Sequence, residues 1–101
     1  MDRRIQLQSK LEEILGSRHV YYQPPENLKM EYPAIRYSLS DVYTTKANDA
    51  SYLQSRRYEI TLIDKKPDNE ALEKILQLPM CTFDRHYKSD NLNHYTFTIY
   101  Y

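Results

Sequence analysis

Cys81, His86 and His94 are the residues of this chain best suited to metal or nucleophile chemistry, and they fall within one short stretch. A structural zinc ion takes four Cys or His ligands. Three are too few, and parity separates them: Cys81 and His86 are five positions apart, so on one strand they point to opposite faces. His86 and His94 are expected to meet across a hairpin as a surface pair that repels itself once both rings are protonated, loosening the hairpin. A nucleophilic Cys81 would need a cation or a helix N-terminus beside it. Its apolar row with Phe83 predicts an inert core thiol instead. No serine stands in a nucleophile elbow. Asp64, Asp84 and Asp90 could be assembled into an acidic site, and Asp84 with His86 and His94 into a small-molecule enzyme, but acidic residues at loop mouths are usually solvated turn formers. The expectation is no catalytic residue, no metal and no cofactor.

A different chemistry is suggested by Arg56-Arg57 flanked by Tyr52 and Tyr58, because sheet aromatics beside cations can stack bases. Two features oppose it. Tyr58 shares its face with Ile60 and Leu62, which marks it as core, and 14 basic residues balance 14 acidic ones to a net charge of zero. A neutral chain offers no long-range attraction to a polyanion. Gly16 is the only glycine, so a phosphate-cradling loop is excluded. A single-stranded nucleic-acid-binding module remains the alternative from a different functional class.

The chain of 101 residues suits one domain, 1–101. One cysteine rules out an intramolecular disulfide and fits a reducing compartment. The N-terminal segment is amphipathic, so neither a signal peptide nor a membrane span is expected. Eleven tyrosines and no tryptophan suit either half-exposed strands or protein interfaces, where an apolar ring carries a hydroxyl that tolerates water.

The elements that must position these residues follow from periodicity. Leu7, Leu11, Ile14 and Leu15 make one helical stripe over residues 3–15, with Asp2 as N-cap, Gly16 as a left-handed stop, and Arg3, Arg4, Lys10, Glu12 and Glu13 on the wet side. A short strand over 19–23 ends at Pro24-Pro25. A second strand runs from Ala34 to Asp41 or a little beyond, with Ile35, Tyr37 and Leu39 inward. Residues 44–51 are polar and aperiodic, a long hairpin tip. Tyr52–Asp64 is the third strand. Thirteen residues span roughly 43 Å, more than a small core covers, so its 52–57 end should project as an arm or pair with another subunit. Pro67 and Asp68 open a helix over about 68–77 with Leu72, Ile75 and Leu76 buried. The last hairpin joins 80–87 to 93–101 through a loop at 88–92. Facing numbers then sum to 180, pairing Phe83 with Phe97, Cys81 with Ile99, Arg85 with Tyr95, Asp84 with Thr96 and His86 with His94. Alternation of Tyr95, Phe97, Ile99 and Tyr101 makes the closing strand the clearest in the chain. The predicted fold is α+β, a mostly antiparallel sheet of four to five strands with two helices on one face, in the order α-β-β-β-α-β-β.

Several short motifs accompany this order. Tyr32-Pro33-Ala34-Ile35 leads into a strand, and Asn48-x-x-x-Tyr52 precedes Arg57-Tyr58-Glu59-Ile60-Thr61-Leu62-Ile63-Asp64. Pro67-Asp68 starts a helix that ends at Leu78-Pro79. Phe83-Asp84-Arg85 and Asp90-Asn91-Leu92-Asn93-His94 follow, and the chain closes in Tyr100-Tyr101. Across nearly its whole length the chain resembles the tail terminators, or tail completion and head–tail joining proteins, of long-tailed bacteriophages. The resemblance implies a structural virion protein, not an enzyme, assembled in the host bacterial cytoplasm. It implies a homo-oligomeric ring, usually hexameric, that caps the tail tube, stops its polymerisation and meets the head connector. The expected partners are further copies of the chain, the tail tube protein and the head connector protein, with no membrane and no specific nucleic acid. Neighbouring head-closure and minor capsid proteins are the nearest alternatives. The family supplies no residues to carry over. From position alone, Thr44, Lys46, Asn48, Asp49, Tyr52, Arg56 and Arg57 are the expected protein-interface residues.

Overall fold

Leu7 and Leu11 sit one turn apart on α1 (Arg3–Leu15), and both are fully buried. The computed structural model describes residues 3–25, 29–46, 52–67 and 69–101. Gly16 takes φ 77° and donates its N–H to the Glu12 carbonyl at 2.9 Å, a left-handed stop that satisfies a helix-end carbonyl. Asp2 lies outside the described residues. Arg4 is not on the wet side: its guanidinium lies 4.6 Å from the centre of the Tyr22 ring and donates to the Tyr37 hydroxyl at 3.4 Å.

Five strands follow this helix: β1 (Val20–Tyr22), β2 (Ala34–Lys46), β3 (Tyr52–Asp64), β4 (Cys81–Ser89) and β5 (Leu92–Tyr100), with α2 (Glu70–Leu76) between β3 and β4. They form one mixed sheet in the order β1-β2-β3-β5-β4. β1 runs parallel to β2, and the other neighbours are antiparallel. Leu7 and Leu11 of α1 and Ala71 and Ile75 of α2 share one core with Ile35, Tyr37, Tyr58, Ile60, Leu62, Phe97 and Ile99 of the sheet. The protein is thus an α+β fold with both helices on one face of the sheet. Register explains the core: Tyr37, Ile60 and Phe97 stand in one row across three strands, and Ile35, Leu62 and Tyr95 in the next. Aligned rows of this kind bury their side chains against the helices while the alternate residues face outward.

Four features differ from the sequence expectation. β2 continues to Lys46, so Thr44 and Lys46 belong to a strand and not to the tip. Cross-strand pairing with β3 carries it on where its own polar side chains give no periodic signal. α2 is shorter than 68–77: it runs from Glu70 to Leu76, capped by Asn69, which accepts the Ala71 N–H at 2.8 Å, and Asp68 lies outside the described residues. Its buried residues are Ala71 and Ile75, with Leu72 half-buried and Leu76 exposed, because one turn separates the first two on the face toward the sheet.

The fourth difference is in the last hairpin. Cys81 does face Ile99 and Phe83 faces Phe97. Beyond a bulge at Asp84, however, Arg85 faces Thr96, His86 faces Tyr95 and Tyr87 faces His94. The cause is the turn: Asp90 and Asn91 both take positive φ, 53° and 63°. Two left-handed residues make a two-residue hairpin whose twist matches the strands. That turn imposes a facing sum one higher than 180, and the bulge absorbs the extra residue.

Candidate protein-interface site

The candidate site is built from the two longest strands. β1 pairs with β2 only as far as Tyr37, and β5 pairs with β3 only as far as Arg57. Beyond those points, β2 and β3 run on as a two-stranded ladder, in the register Val42 with Arg56 through Lys46 with Tyr52. The result is a two-stranded arm extending a five-stranded body, and the molecule measures 52 × 24 × 23 Å.

Ser40 marks the base of this arm. It is an extra residue between Leu39, which faces Tyr58, and Asp41, which faces Arg57. Arg57 donates through Nε to the Ser40 hydroxyl at 3.1 Å. Asp41 accepts the Val42 N–H at 2.8 Å. The Arg56 carbonyl accepts the Tyr101 N–H at 2.9 Å, tying the last residue to the same place. A bulge sharpens strand twist and re-aims what lies beyond it.

Of the expected interface residues, Thr44 and Lys46 lie on the β2 side of the arm, and Tyr52, Arg56 and Arg57 on the β3 side. Asn48 and Asp49 lie outside the described residues. Residues missed by the sequence reading are Ser40 and the half-exposed apolar pair beside it, Leu39 and Val42. Nothing in a Ser-Leu-Ser-Asp run signals a bulge. The N-cap Asn69 was detectable, since it directly precedes an acidic first turn.

The structure disperses the other candidates. His86 and His94 lie on opposite faces of the hairpin. Each stacks on a tyrosine instead of on the other: His86 on Tyr95 with ring centres 4.5 Å apart, His94 on Tyr87 at 4.8 Å. The expected histidine repulsion therefore has no geometric basis. His86 Nε2 meets Asn93 Oδ1 at 3.1 Å, and His94 Nδ1 meets the Leu92 carbonyl at 3.1 Å. Asp84 accepts from the Thr98 hydroxyl at 2.7 Å on the outer face. Asp64 instead receives the Asn69 side chain at 2.6 Å and so steadies the cap of α2. Asp90 is a turn residue. Cys81 is half-buried, and its thiol is pushed up to about 11, first by burial and then by the charge of Asp84. Among the described residues no three His, Cys, Asp or Glu side chains converge where a metal could sit. Tyr58, the proposed base-stacking ring, is 1% exposed and unavailable.

On the face away from the helices, Gln23, Pro24, Arg36, Ser38, Glu59 and Thr61 line an open cleft of about 300 Å³. Its lining contributes neither His nor Cys and only one carboxylate. Among the described residues no helix is long and apolar enough to cross a membrane.

The fold and the arm together define a class: a small α+β domain whose distinctive surface is an extended hairpin. No family model matches the chain, and no curated protein matches it.

Proposed function

We propose that this chain is a structural assembly protein of a long-tailed phage particle, capping the tail tube as a tail terminator and joining it to the head connector as a ring. The observation that carries the proposal is the two-stranded arm. An isolated two-stranded hairpin is at best marginally stable in water. An arm that leaves the sheet with only its own partner strand therefore gains most when another protein covers it. Net neutrality leaves little charge repulsion between copies. A head-to-tail ring needs two different complementary patches on each subunit, and the arm at one end of an elongated molecule supplies one of them.

The test is a phage in which this gene is disrupted and then supplied in trans. The expected outcome is tails of uncontrolled length lying apart from filled heads, restored to uniform joined tails by the wild-type chain. Uniform tails attached to heads in the disrupted phage would overturn the proposal. Salt-dependent binding of the purified chain to single-stranded oligonucleotides would favour the nucleic-acid reading instead.

A further inference from the structure

β4 is an edge of the sheet, with β5 on one side and no strand on the other among the described residues. Its main-chain groups alternate between those two sides. The Tyr100 N–H reaches the Met80 carbonyl at 3.2 Å, so Met80 and Thr82 turn toward β5 while Cys81 and Phe83 turn outward. At the far end, Ser89 and Leu92 flank the two-residue turn and bond each other. Alternation from that end turns Tyr87 toward β5, and Lys88 and His86 outward.

The bulge at Asp84 reconciles the two ends. Phe83 faces Phe97 and His86 faces Tyr95, so three steps along β4 match two along β5. Asp84 and Arg85 share the place opposite Thr96. Both side chains lie on the face away from the helices. Asp84 accepts from the Thr98 hydroxyl, and the Arg85 guanidinium lies 4.9 Å from the centre of the Tyr87 ring, which stacks on His94. The open side of β4 is therefore alike in either direction. Cys81, Phe83, His86 and Lys88 offer evenly spaced main-chain groups, with their side chains on the helix face. Thr82 and Tyr87 flank the bulge on the other face.

We propose that two copies of this chain pair antiparallel through their β4 edges, about a two-fold axis that passes through the bulge perpendicular to the sheet. Phe83 of one copy then exchanges main-chain hydrogen bonds with His86 of the second, and Cys81 with Lys88. The same axis sets Asp84 beside Arg85 of the second copy, and Arg85 beside its Asp84, so the bulge is complementary in charge to itself. On the helix face Phe83, 46% exposed in one copy, comes beside the other copy's His86. Its own contact with Phe97 and the His86 stack on Tyr95 then join into one aromatic row across the axis.

The bulge also selects the occupant. An irregular, charged edge deters the addition of a regular strand. A second copy brings the same irregularity to the same place, so two residues oppose two and no group is left over. Any other centre for the axis sets the bulge of one copy against regular strand of the other. The contact is isologous, as a two-fold requires, and it continues the sheet with both pairs of helices on one face. It uses β4 and not the arm, so it goes beyond the assembly reading and does not depend on it.

A contact one strand wide is at the small end of interfaces that hold, so the test follows the full chain from ~10 μM to ~1 mM. Sedimentation equilibrium should show the mass rising toward that of two chains. Asp84→Arg makes both cross-axis pairs repulsive and should weaken dimerisation about tenfold. Adding Arg85→Asp restores opposite charges and should recover it. Amide hydrogen exchange on the wild-type chain is the second measurement. Protection at Phe83 and His86 should rise with concentration, while Thr82 and Tyr87, already turned to β5, stay unchanged. A mass that remains that of one chain throughout, or a dimer whose exchange at Phe83 and His86 ignores concentration, overturns the pairing. The tails of the disrupted phage judge the assembly reading separately, so either can fail without the other.

Discussion

The His86 imidazole lies flat on the Tyr95 ring, the centres 4.5 Å apart and the planes 13° from parallel. One residue along, on the opposite face, Tyr87 and His94 repeat the arrangement with the roles of the strands exchanged, at 4.8 Å and 8°. Stacked pairs of this kind contribute about 0.5–1.5 kcal/mol beyond their burial. His86→Ala and His94→Ala should each cost that much in urea denaturation. Because the two stacks sit on opposite faces, the double variant should lose their sum to within about 0.5 kcal/mol. A strong coupling between them would mean that the rings meet after all.

The turn that creates this register makes its own prediction. Asn91 holds φ 63°, where a β-branched side chain is strained. Asn91→Val should cost roughly 1–2 kcal/mol. Asn91→Gly should be neutral or mildly stabilising, since Asp-Gly suits a turn with two left-handed residues. Equal stabilities for the two variants would show that the hairpin turns elsewhere.

Tyr37 joins the first helix to the sheet. Its hydroxyl donates to Gln8 Oε1 and accepts from Arg4, and Gln8 in turn donates to the Val20 carbonyl at 3.0 Å. Burial raises the phenol above its ordinary value, with Arg4 opposing the rise. Tyr37→Phe should cost about 1 kcal/mol, the net worth of a typical hydrogen bond, while preserving the ring contact with Tyr22 at 4.9 Å. Thermal melts of Tyr37→Phe and Arg4→Met would show whether the two changes act through the same network, in which case their effects would fall short of additive.

Cys81 should behave as an inert thiol. Burial and Asp84 move its ionisation from 9.0 to about 11, so alkylation of the folded chain at neutral pH should be slow and should accelerate on unfolding. The folded chain holds this proton more tightly than the unfolded one. Its stabilising effect is therefore fully present below the unfolded value and is lost as pH rises through about 11. Cys81→Ala should show a shallower fall in Tm than wild type over that alkaline range. Parallel curves would argue that the thiol titrates alike in both states.

Replacing residues 44–54 with a two-residue turn should leave a cooperatively folding monomer, because the core of Leu7, Leu11, Ile35, Tyr37, Tyr58, Ile60, Phe97 and Ile99 is built from α1 and the body of the sheet. Circular dichroism melts would check the fold and light scattering the assembly. Collapse of the fold would show that the arm contributes to the core.

Much of this architecture was legible along the chain. Apolar spacing marked α1, alternation marked β3 and β5, and Gly16 and the prolines marked where elements stop, because these signals are local and repeat within a few residues. The excess length of β3 over any core that a chain this small could supply already implied an arm. Other features were decided only by the tertiary structure. Thr44 and Lys46 became strand because β3 was there to bond them, and Arg4 turned inward because Tyr22 and Tyr37 came together beneath it. The histidines parted because two left-handed turn residues set a register that the apolar rows could satisfy only through a bulge at Asp84. Each of these depends on groups distant in sequence finding hydrogen-bond and packing partners, and a periodic pattern carries no record of which partner arrives.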